Sequence, residues 1–426
     1  MNMNILWITN ILLPEAQSLL QGESVLKGTG GWMVGAAKNL LEYSQISLSI
    51  ASPSEKVSEL RILKGERITY YLFPLGRGNY RYNTSFELFF HKIQGLSKPD
   101  VVHIHGTEFS HGLAYVNACG SNKVVASIQG MTSIISKYKT LGLSQWNILS
   151  NITLSDVLLG KSLYHKRREL RICGESEQAL IKKLHHVIGR TLWDRANTWG
   201  LNQNIQYHFC NETLRPEFYL RERWSFKTCE KHTIFFSQPT NSIKGFHQLL
   251  KAMPLVVNLY PDTMIYLAGV NGLKPSSFRH RLLETGYVKY LRKEVAKLGL
   301  EKHLHFLGSL NAEQMKTQYL KANVFVCASS IENSSNSIGE AQIIGTPVIS
   351  SYVGGVADII EDGRTGFLYR YEETNTLAYL ICKLFSGKVD YDSLSNSEIE
   401  VASNRHDEKT NCKTLLQIYN EITQND

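Results

Sequence analysis

Two glutamates eight residues apart, Glu332 and Glu340, open the question of which residues in this sequence do chemistry. The residues just before the second glutamate are small and polar: Ser334, Ser335, Asn336 and Ser337. The stretch begins where a buried-strand pattern, residues 324–328, stops. A helix that starts at such a strand end presents free amides and a positive dipole end, which favour a phosphate or a hydroxyl-rich ligand. The spacing Ser337-x-x-Glu340 also fits a capping box. The stretch can therefore be interpreted as the start of a helix, as a ligand site, or as both.

Three more candidates follow other buried-strand patterns. Lys244 comes after the strand pattern 233–237, at the start of a predicted helix, where an ammonium is unfavourable unless it binds an anion. His105 ends the pattern Val101–His105, and Glu108 follows it closely. A solvated surface lysine and a structural histidine are the alternatives. We expect these side chains at the carboxyl ends of their strands, pointing to the same cleft, because ligands bind at the carboxyl ends of parallel strands.

Several classes of site are absent from the sequence. The seven cysteines form no Cys-x-x-Cys pair, no cluster has metal-ligand spacing, and no Ser-His-Asp set appears. The glycine stretch around Gly30 and Gly31 fails as a dinucleotide fingerprint, because it lies too far from the first strand and Met33 occupies the third glycine position. We expect a flexible ligand-lining loop there, and neither a metal nor a cofactor.

The elements that must position these residues fall into two series. Continuous apolar runs, typical of parallel strands covered on both faces, recur with helical patterns between them on either side of a polar stretch near residues 218–231. The pattern predicts an α/β fold of two Rossmann-like, doubly wound domains facing a cleft. We expect domains at 1–222 and 223–405. A C-terminal helix, 406–426, would pack back on the first domain.

Composition suits a two-domain globular protein of 426 residues, 43% hydrophobic and 20% charged. The formal charge of +8 fits a phosphate-bearing ligand, nucleic acid or an anionic membrane surface. No apolar run reaches the length of a spanning helix, and the N-terminus lacks a signal-peptide pattern. We expect a cytoplasmic protein, and no nucleic-acid partner because no nucleic-acid module is recognisable.

These residues together resemble the retaining nucleotide-sugar glycosyltransferases of family 4, glycosyl transferases group 1, which have the GT-B fold. The similar features run in the family's order through both predicted domains: Asp100–His105, Ile243-Lys244-Gly245, the Glu332-x7-Glu340 pair, Gly345–Ile349, Gly354-Gly355 and Asp362–Tyr369. The resemblance implies a metal-independent sugar transfer from a nucleotide-diphosphate donor, UDP-sugar favoured. The acceptor would be a glycan or a lipid-linked molecule, in the assembly of a bacterial surface polysaccharide such as capsule, O-antigen or exopolysaccharide.

The resemblance also implies roles, with the domain at 1–222 on the acceptor side and the domain at 223–405 binding the donor. Glu340 would bind the donor ribose, Glu332 would meet the transferred sugar, and Lys244 would neutralise the leaving diphosphate. The amides around Ser335, Asn336 and Ser337 would contact sugar and diphosphate. His105 and the Gly30-Gly31 loop would touch the donor from the first domain, and Glu108 is a candidate acceptor contact.

One departure from the family pattern concerns the arginine that commonly precedes the lysine. This sequence has Ser237-Gln238-Pro239-Thr240-Asn241-Ser242 there, with no cation. Three alternatives follow. Gln238 replaces the arginine by hydrogen bonding to the diphosphate, another arginine such as Arg190 binds the diphosphate, or the diphosphate is bound less tightly. A non-catalytic nucleotide-sugar-binding or scaffold protein of the same fold is therefore a rival. An oxidoreductase is disfavoured by the failed glycine fingerprint.

A long segment between strands of the first domain, residues 131–175, contains Trp146, several leucines and the basic run His165-Lys166-Arg167-Arg168. Such a segment is suited to rest on an anionic membrane leaflet, which predicts a peripheral contact at the inner face of the cytoplasmic membrane. A helical lid with a solvated basic end is the alternative.

Overall fold

The computed structural model describes residues 3–22, 31–75, 81–273 and 282–425. The chain forms two compact units. The first comprises Met1–Ser136, Glu169–Pro216 and Arg405–Asp426, and the second comprises Lys137–Arg168 and Glu217–Asn404. Residues 137–168 belong to the second unit because hydrogen bonds fasten them to it, for example from Ser242 Oγ to the carbonyl of Lys139 at 2.8 Å.

The sheet of the first unit has eight strands over the described residues, in the order β3-β4-β2-β1-β5-β6-β7-β8. All its pairings are parallel except β3 with β4, which are antiparallel. The strands are β1 Met3–Thr9, β2 Ile46–Ser54, β3 Arg61–Lys64, β4 Ile68–Pro74, β5 Val101–His105, β6 Val124–Ser127, β7 His186–Gly189 and β8 Gln206–Phe209.

The sheet of the second unit has six strands in the part of the chain that is described, in the order β11-β10-β9-β12-β13-β14, all parallel. They are β9 Thr233–Ser237, β10 Met264–Ala268, β11 Leu304–Gly308, β12 Val324–Cys327, β13 Val348–Ser351 and β14 Phe367–Tyr369. The order places β9, β12 and β13 side by side, so that the loops leaving their carboxyl ends are neighbours.

Helices connect these strands. Those up to residue 201 are Pro14–Gln21, Gly31–Leu41, Ser85–Ser97, His111–Cys119, Thr132–Tyr138, Gln145–Leu149, Leu154–Leu158, Leu163–Lys183 and Leu192–Leu201. Those that follow are Phe246–Leu259, Gly286–Leu298, Ala312–Lys321, Asn336–Ile343, Thr374–Phe385, Tyr391–Arg405 and Glu408–Asn425. Short 3-10 turns lie at Pro216–Tyr219, Ser242–Lys244, Glu301–His303 and Val356–Asp358. In the residues that the structure describes, no helix is both long and apolar enough to span a bilayer.

The predicted α/β fold class, with two doubly wound parallel sheets, is confirmed. Every residue of β5, β12 and β13 is buried, as continuous apolarity predicts for strands covered on both faces. Strands β3, β8 and β14 were not predicted. They are three or four residues long and lie at the ends of their sheets, where one neighbouring strand is missing and long apolar runs are not required.

The last helix, Glu408–Asn425, lies in the first unit and helps to position the end of β5. Tyr419 on this helix is fully buried, and its hydroxyl accepts a hydrogen bond from Trp7 Nε1 at 3.0 Å. The same hydroxyl is 2.6 Å from His103 Nδ1, and His103 Nε2 is 2.6 Å from Ser127 Oγ. This chain of hydrogen bonds fixes the ring of His103, against which the ring of His105 stacks with centroids 3.8 Å apart.

Candidate functional site

The candidate site in the second unit is built at the carboxyl end of β9. Asn241 accepts a hydrogen bond from the amide of Ile243 and so caps the 3-10 turn Ser242–Lys244. Gly245 follows with a φ of 71°, and a Cβ at this position would overlap the carbonyl oxygen of Ala328 at the end of β12. Only glycine permits both the left-handed backbone and this close approach. The turn that carries Lys244 is thereby held against the end of the neighbouring strand.

Lys244 and Glu332 form an ion pair at this edge. Lys244 Nζ lies 2.5 Å from Glu332 Oε1, and their side chains are 22% and 13% exposed. Ser329 Oγ donates to the same carboxylate oxygen at 2.6 Å. The two residues singled out in the sequence are 88 positions apart, and the adjacency of β9 and β12 brings their side chains together.

The pair has a defined charge state. Burial alone would lower the pKa of the Lys244 ammonium, but attraction to the Glu332 carboxylate outweighs it, so the pKa is raised. The lysine is therefore a fixed positive charge with donors to spare, since an ammonium has three. A cation of this kind is suited to hold an anionic group at the strand end.

Gly354 and Gly355, in the loop after β13, contact the backbone of Glu332. The amide of Gly355 donates to the backbone carbonyl of Glu332 at 3.0 Å. Gly354 has a φ of 52°, and a Cβ there would overlap the same carbonyl oxygen. Gly354 and Gly355 thus allow the loop after β13 to approach the backbone of Glu332, an arrangement that any larger side chain at position 354 would disrupt.

The helix that contains Glu340 begins two residues earlier than the predicted capping box requires. Helix Asn336–Ile343 has Ser335 as its N-cap, without a side-chain capping bond, so the Ser337–Glu340 capping box was wrong. The carbonyl of Ser335 accepts from the amides of Ile338 and Gly339, both at 3.1 Å, while the amides before them lie in the first turn. Glu340 on this helix is 5% exposed.

A lysine that the sequence did not single out lies beside the turn of Lys244. Lys139 Nζ donates to Asn241 Oδ1 at 3.1 Å, and its backbone carbonyl is held by Ser242 Oγ. Ser330 Oγ donates to the carbonyl of Tyr138 at 3.2 Å, which fastens the same segment to the loop after β12. Burial, and next the nearby Lys166, lowers the pKa of Lys139 to about 8. Within the described ranges no carboxylate forms an ion pair with it.

Lys139 was missed because no local pattern marks it. It lies 102 positions before Asn241, in a segment that the sequence assigns to the other domain. Gln238, which the sequence suggested as the substitute for the family's arginine, ends β9 with an exposed side chain and a φ of 55°. A left-handed conformation in a residue other than glycine is uncommon and is often found at functional sites.

The candidate residues of the first unit lie near the end of β5. His105 and Arg190 line a partly open pocket of about 570 Å³, together with Trp32, His103, Ser127, Glu212 and Thr213. Neither ring nitrogen of His105 has a hydrogen-bond partner in the portion of the chain that is described. Burial, and then the positive potential of His103 and Arg190, keeps the pKa of His105 well below its usual range. The imidazole is therefore neutral, with one donor and one acceptor to offer.

Arg190 is engaged within its own unit. It forms a buried ion pair with Glu212, and its Nη2 donates to the carbonyl of Ile128 at 2.6 Å. Glu108 lies close by in sequence to His105 and accepts from Asn10 Nδ2 at 3.1 Å. Burial raises the pKa of Glu108 to about 7.

Two further expectations concern glycines and metals. Gly30 lies outside the described residues, and Gly31 begins the helix Gly31–Leu41, so the ligand-lining loop stays a prediction. A search of the described residues finds no group of three or more His, Cys, Asp or Glu side chains placed to hold a metal ion.

Comparison with known proteins finds a matching family model. Residues 221–400, which contain Lys244, Glu332 and Glu340, match the family model of Glycosyl transferases group 1. The spore coat protein SA of Bacillus subtilis is 25% identical over 191 residues, which are 44% of this chain and 48% of that protein. The aligned region thus spans about half the length of this curated relative.

Solved structures share the fold along the whole chain. Sucrose-phosphate synthase from Thermosynechococcus elongatus superposes with a TM-score of 0.71 at 14% identity, covering 99% of this chain and 100% of that one. The Anabaena protein Alr3699/HepE, in complex with UDP-glucose, gives a TM-score of 0.66 at 14% identity, covering 98% and 100%. The fold is therefore GT-B, the two-Rossmann fold of glycosyltransferases.

Proposed function

We propose that this protein is a retaining, metal-independent glycosyltransferase that moves a sugar from a nucleotide-diphosphate donor to a glycan or lipid-linked acceptor. The observation that carries the proposal is the Lys244–Glu332 pair, with Nζ and Oε1 2.5 Å apart, at adjacent strand ends inside the segment that matches the family model. A fixed ammonium beside a carboxylate is what a reaction needs when it builds negative charge on a diphosphate and positive character on a sugar.

The proposed reaction is a substitution at the anomeric carbon of the donor sugar. The bond from that carbon to the diphosphate oxygen breaks, and its electron pair leaves with the nucleotide diphosphate. The acceptor hydroxyl oxygen forms the new bond on the same face, and its proton passes to the departing phosphate. Lys244 stabilises the charge that grows on the diphosphate, as a preorganised cation placed where charge develops.

Other residues of the second unit have supporting roles in this proposal. Glu332 binds the transferred sugar, and Glu340 binds the ribose through its hydroxyls. The first-turn amides near Ser335, Asn336 and Ser337 face the sugar and diphosphate, because a helix N-terminus favours anions. Gln238 is a further donor contact at the end of β9.

Lys139 fills the role of the missing arginine in this proposal. Its ammonium lies 3.1 Å from Asn241, on the turn that ends with Lys244, and no carboxylate neutralises it in the described part of the chain. One cation on this turn and one beside it are suited to a diphosphate, which carries more than one charge at neutral pH. The ion pair of Arg190 with Glu212 favours Lys139 over Arg190 for this role.

In the first unit, the ring nitrogens of His105, which have no hydrogen-bond partner among the described residues, are suited to a sugar hydroxyl, which both donates and accepts. Glu108, with a pKa near 7, is suited to an acceptor hydroxyl. We place the reaction in bacterial surface polysaccharide assembly at the inner face of the cytoplasmic membrane, with UDP-sugars as the favoured donors. The Anabaena protein of similar fold was solved with UDP-glucose, which supports the donor class.

A donor screen tests the proposal. The full chain is incubated with a panel of UDP-, GDP- and ADP-sugars and candidate acceptors, and release of free nucleotide diphosphate is measured beside calorimetric binding of each donor. The expected result is binding and acceptor-stimulated release with one donor class, UDP-sugars first. Binding of a nucleotide sugar without release by any acceptor would favour the non-catalytic rival instead.

A further inference from the structure

The helix Leu154–Leu158 has its polar residues inside and its apolar residues outside. Leu154, Val157 and Leu158 are 62%, 69% and 70% exposed, whereas Ser155 and Asp156 are 3% and 4% exposed. A surface helix normally buries its apolar stripe and exposes its polar one. The inverted arrangement indicates that the outward apolar side chains have a partner outside the chain.

Further exposed apolar side chains lie close to the inverted helix, either along the chain or through hydrogen bonds. Ser155 Oγ donates to the carbonyl of Leu283 and Thr153 Oγ1 to that of Glu284, so residues 282 and 283 lie next to it. We define the apolar face by its exposed members, each between 47% and 76% exposed: Trp146, Leu149, Leu154, Val157, Leu158, Leu159, Leu282 and Leu283.

Hydrogen bonds fix this helix in place. Asp156 Oδ2 accepts from the amide of Gly286 at 2.8 Å and from the amide of Thr153 at 3.2 Å. Thr153 and Asp156 form a capping box, and Gly286 begins the helix Gly286–Leu298, whose positive end favours the carboxylate. The outward direction of Leu154, Val157 and Leu158 is therefore built into the fold of the second unit.

Within residues 141–168, the exposed charges have one sign. Between residues 141 and 168 the only acidic residue is Asp156, which is buried, while Lys161, Lys166, Arg167 and Arg168 are basic. Lys166, Arg167 and Arg168 are exposed. Basic residues beside exposed Trp and Leu side chains suit an anionic bilayer, which attracts cations and accepts apolar groups at its interface.

We propose that the apolar face inserts into the interface of an anionic lipid bilayer while residues 166–168 bind the lipid phosphates. This inference deepens the acceptor part of the proposed function, on which it rests for its purpose, because a lipid-linked acceptor lies in such a surface. Binding itself needs no donor. A second copy of this chain is the less suitable occupant, because a two-fold contact through this face would bring the two basic clusters together.

Co-sedimentation of the full chain with vesicles, without donor or acceptor, tests the proposal. We expect binding to vesicles that contain phosphatidylglycerol in phosphatidylcholine, and weak binding to phosphatidylcholine alone. Replacement of Lys166, Arg167 and Arg168 by Gln should weaken binding to the anionic vesicles about a hundredfold, since each basic residue near the surface contributes about 1 kcal/mol. The triple variant Trp146→Ser, Leu154→Ser, Leu158→Ser should weaken binding to both kinds of vesicle.

The matched control changes exposed apolar residues elsewhere in the same unit. Leu255, Leu259 and Tyr379 are 50%, 65% and 67% exposed, and their replacement by Ser should leave vesicle binding unchanged. Equal loss in the control variant, or no binding to anionic vesicles, would overturn the proposal. The proposal would also be overturned if sedimentation velocity showed a dimer that the triple variant Trp146→Ser, Leu154→Ser, Leu158→Ser abolishes and the control variant does not. Donor-dependent nucleotide release is measured on each variant, so a failure of membrane binding is distinguishable from a failure of the glycosyltransferase proposal.

Discussion

At the scale of single residues, the pairing of Lys244 with Glu332 explains why an ammonium is stable at the start of a helix. A cation at a helix N-terminus is unfavourable, and here a carboxylate 2.5 Å away compensates for the helix dipole. The carboxylate also raises the pKa of Lys244, so its charge persists throughout the physiological range. Lys139 differs, because burial lowers its pKa to about 8 and no acidic partner opposes that effect among the described residues.

This difference gives a prediction for pH dependence. The Lys139 ammonium is present below its pKa of about 8 and is lost as the pH rises through that value. Because kcat/KM reports the free enzyme, kcat/KM for the donor should fall above pH 8 in the unaltered protein. Lys139→Arg should shift that decline to higher pH, and Lys139→Met should lower kcat/KM about 10- to 100-fold at pH 7, the usual loss of a hydrogen bond to a charged group.

The neighbouring Lys137 supplies the control for this series. It is exposed, so Lys137→Met should leave the pH profile unchanged. A pH profile that is identical in the unaltered protein and in Lys139→Arg would contradict the role given to Lys139.

At the scale of elements, the glycines after β13 allow the loop that contains them to pack against the backbone of Glu332. A Cβ at Gly354 would overlap the carbonyl oxygen of Glu332, and the φ of 52° adds strain for any other residue. Gly354→Ala should therefore displace the Glu332 loop and lower donor turnover at least about tenfold, since small misplacements at a reacting centre are costly. Nucleotide release and the thermal unfolding temperature are measured together.

Gly363 provides the comparison, because its φ of 79° is also left-handed but a Cβ there would meet no atom of the described residues within 4 Å. Gly363→Ala should carry a similar backbone strain, of order 1 kcal/mol, with little change in turnover. Equal turnover in the two variants would mean that the contact of Gly354 with Glu332 has no part in the activity.

The elements also show what sequence patterns predict and what they do not. The buried strands β5, β9 and β12 follow from runs such as Val101–His105, because apolar continuity is a local property. Edge strand β3 has the sequence RILK, with no such signal. The capping box at Ser337 was wrong although Ser337 has a glutamate three residues later, because the backbone places the N-cap at Ser335, and helix ends are the least reliable part of a sequence pattern.

The same limit applies to the candidate site. Lys244 and Glu332 were predicted individually because each follows a buried strand, and their contact follows from the strand order, which no local pattern gives. Lys139 could not be predicted from the sequence for the same reason, since its contact with Asn241 joins segments 102 positions apart.

At the scale of the whole molecule, sequence order and unit membership differ. Residues 137–168 come between two parts of the first unit but belong to the second, and residues 405–426 return to the first. A fragment that starts at the predicted boundary near residue 222 would lack residues 137–168 of the second unit. It would therefore lose Lys139, the hydrogen bond from His247 to the carbonyl of Leu141 at 3.1 Å, and most of the apolar face. The second unit is complete only in the full chain, so activity and membrane binding are properties to measure on the intact protein.

The central claim is that Lys244 acts on the diphosphate of a nucleotide sugar. The most direct measurement is nucleotide release by Lys244→Ala at saturating donor, beside Lys321→Ala, which removes a surface lysine 3.7 Å from Glu230 in the same unit. The account predicts a loss of about 100- to 1,000-fold in kcat for Lys244→Ala, the usual effect of removing one preorganised electrostatic contact, and no loss for Lys321→Ala. Release at the unaltered rate by a folded Lys244→Ala protein would contradict it.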